Sequence, residues 1–231
     1  MKIIGMIGGM SWESTLEYYR MINERVKKKL GGLHSAECLL YSVDFAEIEK
    51  LQHAGDWEQA TEMMVDAARR VERGGAGCLI ICTNTMHKMA DEVQDAVAVP
   101  LLHIADAAAL KIAEKGIRKV GLLGTKFTME QDFYAGRLKE KHDINVLIPN
   151  VKGRKTVHDV IYNELCLGNI REESASAFRE VIRDLEQRGA EGIVLGCTEI
   201  PLLVKQKDYD LPLFDTTAIH AHYAVDYALN P

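Results

Sequence analysis

The first half of the chain alternates between short apolar runs and longer segments in which apolar and polar residues mix. Such runs, bounded by Gly, Pro or polar residues, are typical of strands buried in a parallel sheet. They predict strands at residues 3–7, 38–43, 78–82 and 99–103. The segments between them predict helices at residues 12–30, 57–73 and 84–97. Ser11 and Asp56 are expected to cap the first two helices, and Gln59 stands at capping-box spacing from Asp56.

The second half repeats the alternation. Its apolar runs predict strands at residues 120–123 and 144–148 and further strands beginning at Ile193 and Leu213. The helices are predicted at residues 105–114, 129–141, 157–166, 172–188 and 217–229. Because strands and helices alternate throughout, we expect an α/β fold of parallel sheets with helices on both faces.

Three pairs of segments indicate an internal repeat. RGGAGCLIICTNT at residues 73–85 matches RGAEGIVLGCTE at residues 188–199. IGMIGGMS from Ile4 matches VGLLGTKF from Val120, and PLLHI from Pro100 matches PLFDT from Pro212. The pairs keep the same order, which predicts two homologous lobes, residues 1–103 and 104–211. Residues 212–231 are an optional addition to the first lobe, because the last helix can pack back on it.

Composition narrows the class of protein. The chain has 231 residues, 47% of them hydrophobic, and a formal net charge of −6 with both signs mixed, which argues against a nucleic-acid surface. No apolar run approaches the roughly 18 residues of a membrane span, and the N-terminus lacks the features of a signal peptide. The five cysteines are an odd number without a CxxC pair, so we expect reduced thiols, a cytoplasmic setting and no structural zinc.

The Gly-rich turn after the first strand does not match a dinucleotide site. Its pattern is G-x-x-G-G rather than G-x-G-x-x-G, and Asp44 lies 39 residues after Gly5, nearly twice the usual ~20. The turn, which ends at Met10, is instead suited to bring backbone N–H groups to a small anion. His87 has no metal-ligand partner at suitable spacing, so a surface or helix-start histidine is expected.

Polar residues with possible chemistry follow the predicted strands. Cys197 is expected at the carboxyl end of its strand, where ligands bind in α/β sheets and where backbone N–H groups lower a thiol's pKa. An inert buried cysteine is the alternative. Asn84 and Thr85 can bind a carboxylate or simply cap a helix, and the same choice applies to Thr125 and Thr128.

With these motifs assembled, the chain resembles the cofactor-independent aspartate/glutamate racemases. The similarity rests on IGGMSWEST, CTNTMH, LGCTEI and PLFDTT and covers essentially the whole chain. It is similar to the aspartate racemase branch, because Glu199 rather than His follows the second C-T. The resemblance implies two similar α/β lobes, an active site in the cleft between them, no cofactor and a homodimer. It also implies two-base racemisation of an amino acid, with one thiol from each lobe.

The first catalytic position departs from the family. Cys197 matches the second family cysteine, but Thr83 occupies the place of the first. Cys82 stands one residue too early for the family motif, although the ungapped repeat pairs Cys82 with Cys197. Because strand side chains alternate faces, only one of Cys82 and Thr83 can line the site, and the resemblance implies Thr83. The resemblance also implies that Cys197 faces the α-proton of the L-enantiomer, and a threonine hydroxyl is a poor base, so we expect an enzyme that favours L-aspartate and L-glutamate. The further residues expected to bind substrate are Met10, Gln52 in a loop, Asn84, Thr85, Thr125, Thr128, Thr198 and Glu199.

Other functions remain compatible with this pattern. Neutral amino acids are one alternative substrate class. A single-cysteine enzyme on the same fold, such as a decarboxylase or a cis-trans isomerase of diacids, is another. A small-molecule binding protein that lost its chemistry when Thr83 replaced a thiol is the third. No clear arginine for a side-chain carboxylate is evident, and Arg20 and Arg154 are expected to be surface residues.

Overall fold

The computed structural model of the chain describes residues 1–230. Its backbone packs as two compact units. The first comprises Met1–Ile104 together with the residues from His220 onward, and the second comprises Ala105–Ile219. Each unit contains its own sheet.

The first unit contains a three-stranded parallel sheet in the order β2-β1-β3. Its elements are β1 (Ile4–Gly8), α1 (Trp12–Leu30), β2 (Cys38–Ser42), α2 (Phe45–Ala54), α3 (Trp57–Arg73), β3 (Cys78–Ile81), a 3-10 helix (Thr85–Met89) and α4 (Ala90–Asp95).

The second unit contains a four-stranded parallel sheet in the order β5-β4-β6-β7. Its elements are α5 (Ile104–Glu114), β4 (Lys119–Gly124), α6 (Lys126–Glu130), α7 (Asp132–His142), β5 (Asn145–Leu147), α8 (Val151–Asn163), a 3-10 helix (Leu165–Leu167), α9 (Glu172–Gln187), β6 (Ile193–Gly196), α10 (Ile200–Leu203), a 3-10 helix (Gln206–Asp208) and β7 (Leu213–Asp215). The last helix, α11 (Thr216–Leu229), begins in this unit and belongs to the first unit from His220 onward. The expected α/β fold with two parallel sheets is confirmed.

The repeat in the sequence corresponds to a repeat in strand order. β1 lies between β2 and β3, and β4 lies between β5 and β6, so the matched segments form equivalent strands. Gly5 in β1 and Gly121 in β4 are repeat partners at the same structural place. A Cβ on Gly5 would lie 2.4 Å from Val71 of α3, and one on Gly121 would lie 2.9 Å from Leu185 of α9. Both glycines therefore allow a helix to approach the central strand closely.

Opposite faces of the first sheet pack into different cores. Ile81 of β3 contributes to the core that includes the buried residues of α3. Met6 and Ile80 point into the other core, which they share with Tyr18 of α1 and Val225 of α11. The alternation of side chains along each strand separates the two groups, as a period of two requires.

Capping residues explain why two helices begin where the sequence predicts. The Ser11 side chain accepts a hydrogen bond from the backbone N–H of Ser14, and α1 covers the predicted range. The Asp56 side chain accepts from the N–H of Gln59 at 3.1 Å, and α3 also covers its predicted range. These side chains satisfy N–H groups that the first turn of a helix leaves without an internal partner.

The predicted strand at residues 99–103 is not a strand, and only an isolated bridge between Leu79 and Leu101 remains. Leu79 donates to the carbonyl oxygen of Pro100 and accepts from the N–H of Leu102, both at 2.9 Å. The next bond of the ladder would need an N–H on Pro100, which proline lacks, so the pairing does not extend. The N–H groups of Val99 and Leu101 face away from β3 and are bound by the side chains of Glu72 and Gln94.

Several helices also differ from the prediction. The helix predicted at residues 157–166 is part of α8, which begins at Val151 and ends at Asn163, and a separate 3-10 helix follows it. α2 was not predicted, although Asp44 caps it and Gly55 ends it in the left-handed conformation with φ 72°. The predicted helix at residues 84–97 is divided into a 3-10 helix and the short α4. The predicted helix at residues 129–141 is likewise two helices, α6 and α7. No helix within residues 1–230 is both long enough and apolar enough to cross a membrane.

Candidate active site

Thr83 follows β3 at the carboxyl edge of the first sheet, and the residue before it faces a different environment. Cys82 is completely buried in the core that contains Met6 and Tyr18. Burial raises the pKa of the Cys82 thiol, so this cysteine stays protonated. Thr83 is half-buried. Of these two neighbours, Thr83 is the one with a side chain that solvent or a ligand can reach.

His87 holds the backbone of Thr83 from the following 3-10 helix. Its Nδ1 lies 2.8 Å from the Thr83 carbonyl oxygen, and its Nε2 lies 3.2 Å from the backbone nitrogen of Ile104. The Ile104 N–H is a donor, so Nε2 accepts and Nδ1 carries the proton donated to Thr83. These two bonds define a neutral imidazole. His87 was expected on the surface or at a helix start. The surface location is wrong because the ring is buried, but His87 does lie in the 3-10 helix that begins at Thr85.

Met10 and Gln52 also lie in the first unit, and both are buried. Met10 lies in the turn between β1 and α1 and packs in the core beside α3. Gln52 is not in a loop as expected but in the last turn of α2. Its Nε2 lies 3.1 Å from the sulfur of Met86. Asp44 and Gly55, which cap and end α2, are the sequence signals that identify this helix.

Asn84 and Thr85 lie directly after Thr83, where the 3-10 helix begins. Asn84 occupies the N-cap position but makes no capping hydrogen bond with its side chain. Both side chains are buried. Asn84 was expected either to cap the helix or to bind a ligand. Its side chain does not cap the helix, so ligand binding is the expected role that stays a prediction.

In the second unit, Thr125 caps α6 after β4. Its Oγ1 accepts from the Thr128 N–H at 3.3 Å and lies 3.2 Å from the Thr128 hydroxyl oxygen. Thr128 is completely buried. The capping role anticipated for this pair is therefore present.

Cys197, Thr198 and Glu199 form a tight turn after β6. The Cys197 thiol donates to Oε2 of Glu199 at 3.0 Å, and the Thr198 hydroxyl donates to the same oxygen at 2.6 Å. Cys197 and Glu199 are both only 8% exposed. Glu199 was expected to bind substrate. Its hydrogen bond with the Cys197 thiol was not anticipated.

The environment of Cys197 favours the protonated thiol. Burial raises its pKa well above the ordinary value, and the negative charge of Glu199 raises it further. A backbone hydrogen bond from Glu199 acts in the opposite direction but is outweighed. The expected lowering by a backbone N–H is therefore present, but burial and the charge of Glu199 outweigh it.

Two glycines place the Cys197 turn close to the neighbouring strand. Gly124 and Gly196 are paired in register at the ends of β4 and β6. A Cβ on Gly196 would lie 2.9 Å from the carbonyl oxygen of Leu123, and one on Gly124 would lie 2.9 Å from the carbonyl oxygen of Gly196. Any side chain at either position would push the turn away from Thr125, so the glycines allow these polar groups to share one strand edge.

The two arginines considered for binding a substrate side-chain carboxylate form ion pairs within the protein instead. Arg20 forms ion pairs with Glu17 and Glu24 on an exposed face of α1, and Arg154 forms one with Glu130. Within residues 1–230, no group of three His, Cys, Asp or Glu side chains is arranged to hold a metal ion.

Apart from Gln52 in α2, the candidate residues follow the carboxyl ends of β1 and β3 in one unit and of β4 and β6 in the other. A family model described as Asp/Glu/hydantoin racemase matches residues 7–224. The chain belongs to this family, and it is an enzyme of the amino-acid racemase class.

Individual relatives agree with this assignment. A crystal structure of a candidate Asp/Glu racemase from Yersinia pestis is 58% identical over 100% of both chains, with a TM-score of 0.95. An aspartate racemase homologue from Pyrococcus horikoshii is 38% identical over 100% of both chains, with a TM-score of 0.87. The broad specificity amino-acid racemase RacX from Bacillus subtilis is 22% identical, and the match covers 96% of each protein.

Proposed function

We propose that the protein is a cofactor-independent racemase of aspartate and glutamate in which Cys197 and Thr83 act on opposite faces of the α-carbon. Cys197 removes the α-proton of the L-enantiomer, and Thr83 supplies a proton to the other face. The observation that carries the proposal is the contrast at the end of β3, where Cys82 is buried in the core and Thr83 is accessible. Membership of the racemase family supports the reaction class.

Racemisation without a cofactor needs stabilisation of the negative charge that develops at the α-carbon and carboxylate. Preorganised donors aimed at the carboxylate are the usual means. We propose that Asn84 and Thr85 in one unit and the turn at Thr198 in the other contribute such donors. Met10, Gln52, Thr125 and Thr128 remain proposed neighbours of the substrate. For the buried members, a supporting position around the site is the role that their burial favours.

The two proposed proton-transfer groups differ in strength as bases. A thiolate forms within a few pH units of neutrality, whereas a threonine alkoxide does not. The Thr83 hydroxyl can donate a proton and recover it from solvent, but it does not abstract one from the D-enantiomer at a comparable rate. Exchange of the α-hydrogen is therefore expected to start much faster from L-substrates than from D-substrates, while kcat/KM for racemisation stays equal in both directions because enantiomers have equal free energies.

Exchange of the α-hydrogen in D₂O tests this proposal. L- and D-aspartate and L- and D-glutamate are incubated separately with the purified protein and no added cofactor, and proton NMR follows loss of the α-signal. Exchange should start much faster from the L-enantiomers and should disappear in Cys197→Ala. The matched control is Cys82→Ala, which removes the buried cysteine and should retain exchange. Equal initial rates from both enantiomers would contradict the asymmetric pair.

The similarity to RacX supports testing a wider range of substrates with the same assay. Neutral amino acids should be included as pure enantiomers. Exchange with neutral substrates but with neither acidic one would retain the mechanism and replace the proposed substrate class.

We also propose a homodimer in a cytoplasmic setting. Trp12, Leu16 and Tyr19 stand at helical spacing on α1 and are 65%, 55% and 51% exposed. Residues at this spacing share one helix face, and a contiguous exposed apolar face is typical of an interface. A second copy of the chain is the proposed partner. No disulfide joins the five cysteines within residues 1–230, which supports a reducing compartment.

A further inference from the structure

Glu199 makes a contact that substrate binding does not require. Its Oε2 lies 3.0 Å from the sulfur of Cys197 and 2.6 Å from the hydroxyl oxygen of Thr198. Both neighbours donate to this one oxygen, which is the arrangement expected for an ionised carboxylate. The three consecutive residues therefore hold a protonated thiol against a base.

The same contact creates an electrostatic difficulty for a thiolate. Burial opposes ionisation of Cys197, and the charges of Glu199 and Cys166 also oppose it. Cys166 belongs to the 3-10 helix Leu165–Leu167, which contacts α10. Loss of the thiol proton to bulk water would place two negative charges side by side in a turn that is almost completely buried. Transfer of the proton within the pair avoids the second charge.

We propose that Glu199 is the proton acceptor of Cys197. The S–H bond breaks, an O–H bond forms on Oε2, and the electron pair stays on sulfur. The pair carries one negative charge before and after the transfer. Thr198 fixes the accepting oxygen by its hydrogen bond and moderates its basicity.

The role of Glu199 in the catalytic cycle rests on the proposed racemase function. The sulfur electron pair takes the α-hydrogen of the L-substrate and becomes a thiol again. The carbanion receives a proton from the Thr83 hydroxyl, which recovers one from water. Glu199 then returns its proton to solvent, so the protons consumed and released are equal.

An internal acceptor has a distinctive pH dependence. While the pair holds one proton, the fraction with the proton on Glu199 does not change with pH. A thiol that loses its proton to water instead forms thiolate in proportion to hydroxide concentration, roughly tenfold per pH unit below its pKa. The slope of the rate against pH distinguishes these cases whatever the absolute rate.

Alkylation of the thiol measures this slope without substrate. The intact protein is treated with iodoacetamide between pH 6 and pH 8, and peptide mass spectrometry follows each cysteine. In the wild type the Cys197 rate should change less than about twofold. In Glu199→Gln, which keeps an acceptor oxygen but cannot take the proton, it should rise roughly 100-fold over the same range.

Cys38 is an internal reference in every sample. Burial raises the pKa of its thiol to about 11, so its rate should increase steeply with pH in both proteins. The proposal would be overturned if the alkylation rate of Cys197 rose steeply with pH in the wild type and the same rise occurred at lower pH in Glu199→Gln. That result would mean that Glu199 only repels the thiolate.

A second variant tests the same pair by changing a neighbour of the Glu199 carboxylate. Thr198→Val removes the hydroxyl that stabilises the carboxylate, so Glu199 should become a stronger base. Cys197 should then be alkylated roughly threefold to tenfold faster, and its rate should remain independent of pH. A slower reaction, or a rate that becomes proportional to hydroxide, would contradict the assigned role of Glu199.

The exchange assay provides a reading in the presence of substrate. Exchange from L-aspartate should be nearly constant between pH 6 and pH 8 in the wild type and should rise with pH in Glu199→Gln. If no amino acid exchanges, the proposed function fails while the alkylation slopes still decide the role of Glu199. If exchange occurs with a steep wild-type slope, the function stands and the proton acceptor is refuted.

Discussion

Thr83 and Cys82 illustrate how a single position in a strand decides the chemistry available to the protein. Of the two residues that follow β3, Cys82 is enclosed with Tyr18, whereas Thr83 keeps part of its surface exposed. Alternation along a strand indicates only that one of the two faces the site, and the choice of Thr83 came from the resemblance to the racemase family. The side-chain contact between Glu199 and Cys197 was not predictable in the same way, because it depends on the conformation of a tight turn.

Thr83→Cys should create the missing base. A thiol at this position can ionise near neutral pH, so exchange from D-aspartate should increase by on the order of 100-fold, and the rates from the two enantiomers should become similar. The measurement is initial α-hydrogen exchange from each pure enantiomer. Thr83→Ser is the matched control and should retain the wild-type asymmetry. An unchanged D-rate in Thr83→Cys would argue against Thr83 as the opposite-face group.

At the scale of elements, the helices with clear capping residues were predictable, and a segment judged by its hydrophobic pattern alone was not. Ser11 and Asp56 defined the start of α1 and α3 correctly. The segment at residues 99–103 had the apolar pattern of a strand, but Pro100 lacks the N–H that would extend its pairing beyond the bridge between Leu79 and Leu101. The hydrophobic pattern of the segment does not take account of this missing donor.

Gly121→Ala should destabilise the protein. The added methyl group would meet Leu185 of α9 and Ile193 of β6 within 2.9 Å, and overpacking of this kind costs about 1–3 kcal/mol in the free energy of unfolding. Urea denaturation measures the change. Gly136→Ala in α7 is the control, because there the methyl group meets the exposed side chain of Asp132 and the helix gains a better helix former. Equal stability of wild type and Gly121→Ala would show that α9 can move away from β4.

His220 connects α11 to two other elements of the first unit. Its Nδ1 lies 2.9 Å from the Tyr18 hydroxyl of α1, and its Nε2 lies 2.6 Å from the carbonyl oxygen of Leu102. The carbonyl can only accept, so Nε2 carries a proton. Burial lowers the pKa of His220 to about 4.

This histidine should make folding stability depend on pH. The folded-state pKa is below the unfolded value of about 6.5, so protons bind the unfolded chain first, and stability declines from pH 6.5 towards pH 4. Between pH 7 and pH 5 the wild type should lose on the order of 2 kcal/mol more than His220→Gln. Urea unfolding of both proteins at the two pH values measures this difference. If the wild type and His220→Gln lost the same free energy of unfolding between pH 7 and pH 5, His220 would have to be protonated in the folded protein as readily as in the unfolded chain.

At the scale of the whole molecule, the internal repeat was the most informative sequence feature. It predicted two α/β lobes, and each unit has its own parallel sheet with equivalent central strands. The repeat did not determine where β7 belongs. β7 pairs with β6 in the second sheet, whereas the residues from His220 onward pack with the first unit. The C-terminal segment that was expected to return to the first lobe is thus divided within α11.

The proposed dimer is tested at this scale. Leu16→Lys places a charge in the centre of the exposed stripe on α1, and it should convert a dimer to a monomer with little effect on folding. Sedimentation velocity measures the mass, and circular dichroism checks the fold. Leu33→Lys is the control, since Leu33 is fully exposed and lies outside α1. A monomeric wild type, or a dimeric Leu16→Lys, would rule out this surface as the interface.

The return of the last helix has a consequence for biosynthesis. One face of the first sheet packs against Ala221, Ala224 and Val225, and the Lys2 N–H donates to the carbonyl oxygen of Ala228. A ribosome adds about 5–20 residues per second, so on the order of ten seconds separates synthesis of β3 from that of these partners. Throughout that time the core of Met6 and Ile80 has Tyr18 of α1 but lacks its partners from α11, while the whole second unit is translated and free to fold. The unit that begins first is therefore completed last, and its uncovered sheet face is the surface that chaperones would meet on the ribosome.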